Sequence, residues 1–256
     1  PMKIRKIIAV TGIRSEYNYL YPVLQKLKSC NFDVKLIVSG AHLSGWHNDS
    51  LEIIEKDEFE IVDKVDSLFN TNRSTQRVKG IGSLLMGISQ CVEREQPDLL
   101  LCIGDREEGI ATALVANYMN ILFAHLAGGD SVYGNADDPI RFAISKLAHI
   151  HFPQAKEYAR NLKKIGEEDF RIFCVGSTSL DYIKRTKEIT IDHLNDVLGT
   201  NIEKNKFIVF LKHPLSSEHK DSSIQMKITL ECVSKFCNDH DFKVIGIYPN
   251  TDPGSY

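Results

Sequence analysis

The stretch PDLLLCIGDREEGIATALVANYMNILFAHLAGGD, residues 97–130, holds two short apolar runs on either side of a segment of helical period. The runs, 98–104 and 121–127, show no polar alternation, which is the pattern of strands covered on both faces. The segment between them, 107–118, is long enough to cross back over a sheet. Strand, helix and strand in this order form a βαβ unit, so the two strands are parallel neighbours. Each run ends in polar and glycine residues: Gly104, Asp105 and Arg106 after the first, Gly128, Gly129 and Asp130 after the second.

The same alternation extends in both directions. Strands are predicted at 4–10, 34–40, 149–152 and 171–176, with helices near 15–29, 73–95, 139–148 and 156–165. The fold class is therefore α/β, a doubly wound, Rossmann-like parallel sheet. After 185 the chain turns polar and helical, and a new apolar run begins at 207. Residues 1–185 are predicted to form an N-terminal lobe carrying most acid/base candidates. Residues 186–256 are predicted to hold linker helices and the first part of a C-terminal nucleotide-binding lobe. A strand at 207–214, a helix at 223–239 and a strand at 242–250 cannot close a core alone, so this second lobe is expected to be incomplete.

Composition excludes several classes. Of 256 residues, 43% are hydrophobic and 25% charged, as in ordinary globular proteins, and the net charge of -3 comes without a basic stripe. A nucleic-acid partner therefore has no electrostatic footprint. The six cysteines form no C-x-x-C pair and no metal-ligand spacing, so they read as reduced thiols of a cytoplasmic protein, with no metal expected. No apolar stretch reaches the roughly 18 residues of a membrane span.

Ligands of open α/β sheets bind beyond the carboxyl ends of the strands, and the chemically capable residues cluster at those ends. Arg14 follows the first strand and opens a helix, where it can hold a phosphate or pair with Glu16 on the surface. The loop TGIRSEY is not G-x-G-x-x-G, so a dinucleotide cofactor is not expected. Asp105 is either a functional carboxylate or a helix N-cap. His125 is either a hydrogen-bonded core histidine or a functional one displayed beside a glycine pair that admits a ligand. Asp138 precedes Pro139 and reads as an N-cap with proline at the first helical position, which leaves Asp137 as the better catalytic candidate. His213 ends the strand at 207–214 and is displayed in a loop, while His42, His47, His149, His151, His219 and His240 read as surface or core residues.

TGIRSEY (11–17), GAHLSG (40–45), GDREE (104–108), AHLAGGD (124–130), GNADDPIRFAISKLAHIHF (134–152), VGSTSLD (175–181), LKHP (211–214) and YPNTDPGS (248–255) follow one another in a specific order. In that order and over nearly the whole chain, the sequence resembles the hydrolysing UDP-N-acetylglucosamine 2-epimerases of sialic and legionaminic acid biosynthesis. The resemblance implies a two-lobed GT-B architecture and loss of UDP from UDP-N-acetylglucosamine, or from a related UDP-2,4-diacetamido sugar, with inversion at carbon 2. The product would be a free sugar such as N-acetylmannosamine, formed by elimination and then water addition. It also implies no cofactor, a UDP-sugar ligand and a homo-oligomer. By the same resemblance, Asp105, Asp137, His125 and His213 match catalytic positions. Arg14, Arg106, Asp130, Asn250, Asp252 and Ser255 match substrate-binding ones.

Two positions depart from the family pattern: Ala127 replaces a glutamate two residues after the histidine, and Glu107 replaces a common aromatic. Asp130, or Asp105 and Asp137 together, would then carry the proton transfer. The rival classes are a GT-B glycosyltransferase, which needs an acceptor and leaves carbon 2 untouched, and a non-catalytic nucleotide-sugar-binding relative, which Ala127 motivates.

Overall fold

The computed structural model describes residues 5–44, 48–69, 75–131, 137–214, 218 and 220–249. The chain divides into two compact units, Pro1–Arg185 and Thr186–Tyr256. The first is a six-stranded parallel sheet of β1 (Lys6–Thr11), β2 (Asp33–Ser39), β3 (Glu60–Val65), β4 (Leu99–Ile103), β5 (Leu122–Leu126) and β6 (Ile150–Phe152). Its order is β3-β2-β1-β4-β5-β6, the Rossmann arrangement. Around it lie α1 (Arg14–Ser29), α2 (Asn48–Lys56), α3 (Thr75–Glu95), α4 (Glu107–Tyr118), α5 (Asp137–Leu147), α6 (Lys156–Lys164) and α7 (Ser179–Arg185).

Period-two alternation divides the strand side chains between two cores. Ile8, Val10, Ile37, Leu100, Cys102 and Phe123 pack with Leu84 and Ile88 of α3, Ala111 and Val115 of α4 and Ile144 of α5. Ile7, Ala9, Leu36, Val38, Leu101, Ile103 and Ala124 pack with Tyr17, Leu20 and Leu24 of α1 and Ile54 of α2. Both faces are thus covered, which is why these strands read as continuous apolar runs.

Two departures from the sequence reading concern the sheet edges. Residues 48–65, for which no element is predicted from the sequence, form α2 and β3. The sequence of β3, EIVDKV, mixes three charged with three apolar residues because it is an edge strand, only partly buried along most of its length. Residues 171–176, predicted as a strand, are not one. Asp169–Arg171 form a 3-10 turn, and beyond it Ile172 makes a single parallel bridge to His151. Phe173 and Val175 donate backbone hydrogen bonds to His151 (2.9 Å) and Pro153 (3.2 Å). Their side chains are half exposed, so no second sheet face forms there to reward further pairing.

The second unit contains α8 (Ile191–Leu198), β7 (Phe207–Phe210), α9 (Ser222–His240) and β8 (Lys243–Gly246), with β7 and β8 parallel. Thr190 caps α8 by accepting the His193 N–H at 3.2 Å, and Gly199, at φ 60°, ends it in the left-handed conformation. Among the described hydrophobic residues of this unit only Ile202 and Cys237 are buried, while Val209, Ile224, Ile228 and Ile247 stand open.

Candidate active site

In the sheet order, β1 and β4 are neighbours from which the chain winds outward in opposite directions, and the crevice beyond their carboxyl ends is the expected ligand site. Arg14 is the first residue of α1 and is exposed there. The N-cap, Ile13, has an apolar side chain and makes no capping bond, so the first-turn N–H groups remain available to an anion.

Asp105 and Arg106 follow β4. The N-cap of α4 is Arg106 rather than Asp105. The Asp105 carboxylate is engaged by Arg141 instead, a residue of α5 whose side chain is 11% exposed. The same guanidinium donates to the main-chain oxygen of Asp130 at 2.9 Å and reaches its carboxylate at 3.2 Å. One planar fork therefore gathers the turn after β4 and the turn after β5 into a single polar mouth. The phenol of Tyr158 is raised, chiefly by the negative charge of Asp130 beside it.

His125 lies on β5, fully buried, with both ring nitrogens occupied. Nε2 is 2.8 Å from the Gly104 main-chain oxygen and Nδ1 is 3.0 Å from Ser145 Oγ. A carbonyl only accepts, so Nε2 carries the hydrogen and Nδ1 accepts from the serine hydroxyl. Burial pushes the imidazole down to about 4, and the ring is neutral around pH 7. It supports the turn that presents Asp105. The glycine pair serves the same packing: a Cβ at Gly128 would lie 2.7 Å from Ser145 Oγ and 2.8 Å from His125 Nδ1, and one at Gly129 would lie 2.3 Å from the Tyr158 main-chain oxygen. Protein atoms occupy the space that the sequence reading reserved for ligand approach. Ala127, the residue after β5, has a positive φ of 58°.

Glu16 and Glu108, neither singled out from the sequence, lie behind the first loop. They are 7% and 5% exposed. Glu16 Oε2 accepts the Gly12 N–H at 2.9 Å, so Glu16 points inward and does not form the surface pair with Arg14. Glu108 Oε1 accepts from Ser39 Oγ at 3.3 Å, and its Oε2 lies 4.0 Å from Arg106 Nε. Nearby, His42 is buried between Thr11 Oγ1 and Ser50 Oγ, each at 3.0 Å, and burial lowers it to about 4.

The structure therefore brings Asp105, Asp130, Arg106 and His125 to one end of the sheet and adds Arg141, Glu16 and Glu108. Asp137 and Asp138 are the first two residues of α5; the side chain of Asp137 lies outside the described residues, as do Asn250, Asp252 and Ser255. His213 is exposed in the segment after β7, within the second unit. Among the described residues no group of three or more His, Cys, Asp or Glu is placed to hold a metal, and no helix is long and apolar enough to cross a membrane.

A family model described as UDP-N-acetylglucosamine 2-epimerase matches residues 25–255. The chain is 33% identical over 254 residues to UDP-N,N'-diacetylbacillosamine 2-epimerase (hydrolyzing) of Legionella pneumophila, covering 99% of this chain and 66% of that protein. It is 30% identical over 231 residues to GDP/UDP-N,N'-diacetylbacillosamine 2-epimerase (hydrolyzing) of Campylobacter jejuni, covering 90% and 60%. The chain thus spans 60–66% of the length of these two relatives. Among solved structures, UDP-GlcNAc 2-epimerase of Neisseria meningitidis bound to UDP-GlcNAc superimposes with a TM-score of 0.80 at 20% identity, covering 98% of this chain and 67% of that one. This likeness shows the fold, GT-B-like and built from Rossmann-like lobes. With the family model matching nearly the whole sequence, the chain belongs to the UDP-N-acetylglucosamine 2-epimerase family.

Proposed function

We propose that the protein is a hydrolysing 2-epimerase of a UDP-linked 2-acetamido sugar, with a 2,4-diacetamido sugar preferred over UDP-N-acetylglucosamine. The preference rests on the two relatives named above, both called diacetylbacillosamine epimerases. The observation that carries the reading is the Arg141 fork, which sets Asp105 and Asp130 at the mouth of the β1/β4 crevice.

In this reading the diphosphate lies at the N-terminus of α1, where backbone N–H groups and Arg14 meet the charge that grows as UDP departs. A carboxylate, Asp105 or Asp137, takes the proton from carbon 2; the carbon 1–oxygen bond to the diphosphate breaks and a carbon 1–carbon 2 double bond forms. Water then adds its oxygen to carbon 1, and carbon 2 receives a proton on the opposite face, which inverts it. His125 acts as a positioning residue through Gly104. Asp130 orients the sugar, Arg106 supports the β4 turn, His213 is a catalytic residue of the second unit, and Asn250, Asp252 and Ser255 serve the nucleotide. Ala127 has no proton to transfer, so acid and base are divided between Asp105 and Asp137.

Incubating the full-length protein in heavy water with each UDP-sugar tests this. The expected outcome is UDP release with deuterium at carbon 2 of the free product, faster for the diacetamido substrate. UDP release without deuterium identifies a transferase or simple hydrolase, and UDP binding without release identifies a non-catalytic relative.

A further inference from the structure

Glu16 and Glu108 approach the same volume from two helices, α1 and α4, beneath the loop that follows β1. Glu108 reaches so far under that loop that a Cβ on Gly12 would lie 2.0 Å from its Oε1, and one on Gly40 would lie 2.7 Å away. Each carboxyl keeps one buried oxygen, Glu16 Oε1 and Glu108 Oε2, without a hydrogen-bond partner. The charged groups facing them are few. Arg106 stands 4.0 Å from Glu108, Asp105 and Glu107 add negative charge, and Cys102 beneath them is a buried thiol raised well above its usual range. Ser39 supplies a neutral contact. Two desolvated carboxylates against one guanidinium at that distance leave an unbalanced buried negative charge, which a proton removes.

Glu16 is also the third residue of α1, and its Oε2 already accepts a backbone N–H from the loop beside that helix N-terminus. An anion arriving there feels the charge of this carboxyl across the loop. We propose that the Glu16 and Glu108 pair carries one proton, on one carboxyl or the other, and must carry it for a diphosphate to settle at the α1 N-terminus, so that ligand binding is coupled to proton uptake by this pair. The inference rests on the proposed site for the diphosphate. Burial first, and the Glu108 charge next, push Glu16 up to about 8, and burial likewise raises Glu108. The coupling therefore shows on the alkaline side: the pair is already protonated near pH 6.5 and has lost much of its proton at pH 8.5.

Calorimetric titration of the full-length protein with UDP, at pH 6.5 and 8.5 and in two buffers of different ionisation enthalpy, reads the coupling. The expected result at pH 8.5 is uptake of on the order of half a proton or more per UDP, with Kd weakening by up to about tenfold per pH unit above 8. At pH 6.5 uptake by the pair is small. Glu16→Gln abolishes the alkaline uptake and leaves Kd nearly independent of pH, and Glu108→Gln provides the same reading if the first variant folds poorly. In the unliganded wild type, the infrared C=O band of a protonated carboxylic acid is present at pH 6.5 and absent from either variant. UDP binding without buffer dependence at pH 8.5, or uptake that survives in both variants, overturns the proposal while leaving the site intact. No UDP binding at either pH overturns both the proposal and the site assignment beneath it.

Discussion

Arg141 shows how much a single side chain organises here. Its fork holds Asp105 across 36 residues of sequence and Asp130 across 11, so both carboxylates depend on one planar group. Lysine carries the charge but presents a single ammonium and cannot reproduce the fork. For Arg141→Lys the expected outcome is a fall in kcat of about ten- to a hundredfold, because the fork places both a carboxylate proposed for proton transfer and the one proposed to orient the sugar. Asp105→Asn is expected to lower kcat about 10²–10⁴-fold while leaving UDP binding within a few-fold. Steady-state kinetics together with UDP titration check both. An Arg141→Lys variant with unchanged kcat would remove the guanidinium from the account of the site. Asp105 was legible in the sequence because a polar residue after an apolar strand is conspicuous. Arg141 was not, since DDPIR shows only a helix start, and no local pattern tells which arginine of a helix turns inward. Glu16 and Glu108 were hidden for the same reason: alone, each is an ordinary charged residue in a first helical turn.

At the scale of elements, the ends of β4 and β5 are joined by main-chain and glycine geometry. Gly104 donates its N–H to Leu126 at 3.1 Å and accepts from His125, so the two strand ends move as one. Gly104 and Gly129 both have positive φ, 80° and 83°, but differ in surroundings. No atom lies within 4 Å of a Cβ built on Gly104, whereas one on Gly129 meets the Tyr158 carbonyl at 2.3 Å. Gly104→Ala is therefore expected to cost about 1 kcal/mol of stability from backbone strain alone. Gly129→Ala should cost at least about 2–3 kcal/mol, because α6 must shift as well. Urea unfolding of the two variants side by side reads the difference, and equal costs would mean that the α6 contact is soft. The elements themselves were largely legible, because strands buried on both faces write themselves as apolar runs. The exceptions lie where burial is one-sided or absent: β3 at one edge, and the segment 171–176 beside β6 at the other. There Glu167, 4% exposed, receives Lys146, His151 and Arg171 at 2.8, 3.0 and 2.8 Å. A cluster centred on this buried carboxylate ties Arg171, at the start of that segment, to α5 and β6.

For the whole molecule, the buried titratable groups act on stability in opposite directions. His125 and His42 are lowered to about 4 by burial, and burial also lowers His151. Below about pH 6.5 the unfolded chain binds protons that these rings refuse in the fold, so stability falls as the medium becomes more acid. Glu16, raised to about 8, and Glu108, also raised, work the other way. From about pH 4.5 to 8 the fold keeps a proton that the unfolded chain releases, so stability falls as pH rises, by about 1.4 kcal/mol per pH unit for each whole proton. Near pH 5 three histidines outweigh the one proton of the carboxyl pair; near pH 7.5 the histidines are neutral in both states and that proton acts without them. The stability maximum is therefore expected near pH 6.5–7. Urea midpoints of the full-length protein at pH 5, 6.3 and 8 should be highest in the middle. Glu16→Gln should raise the value at pH 8 and flatten the limb above pH 6.5 while leaving the acid limb in place. A wild-type midpoint that does not fall between pH 6.5 and 8 would mean that the two buried carboxyls ionise freely, and the pair's one proton behind the β1 loop would have to be given up.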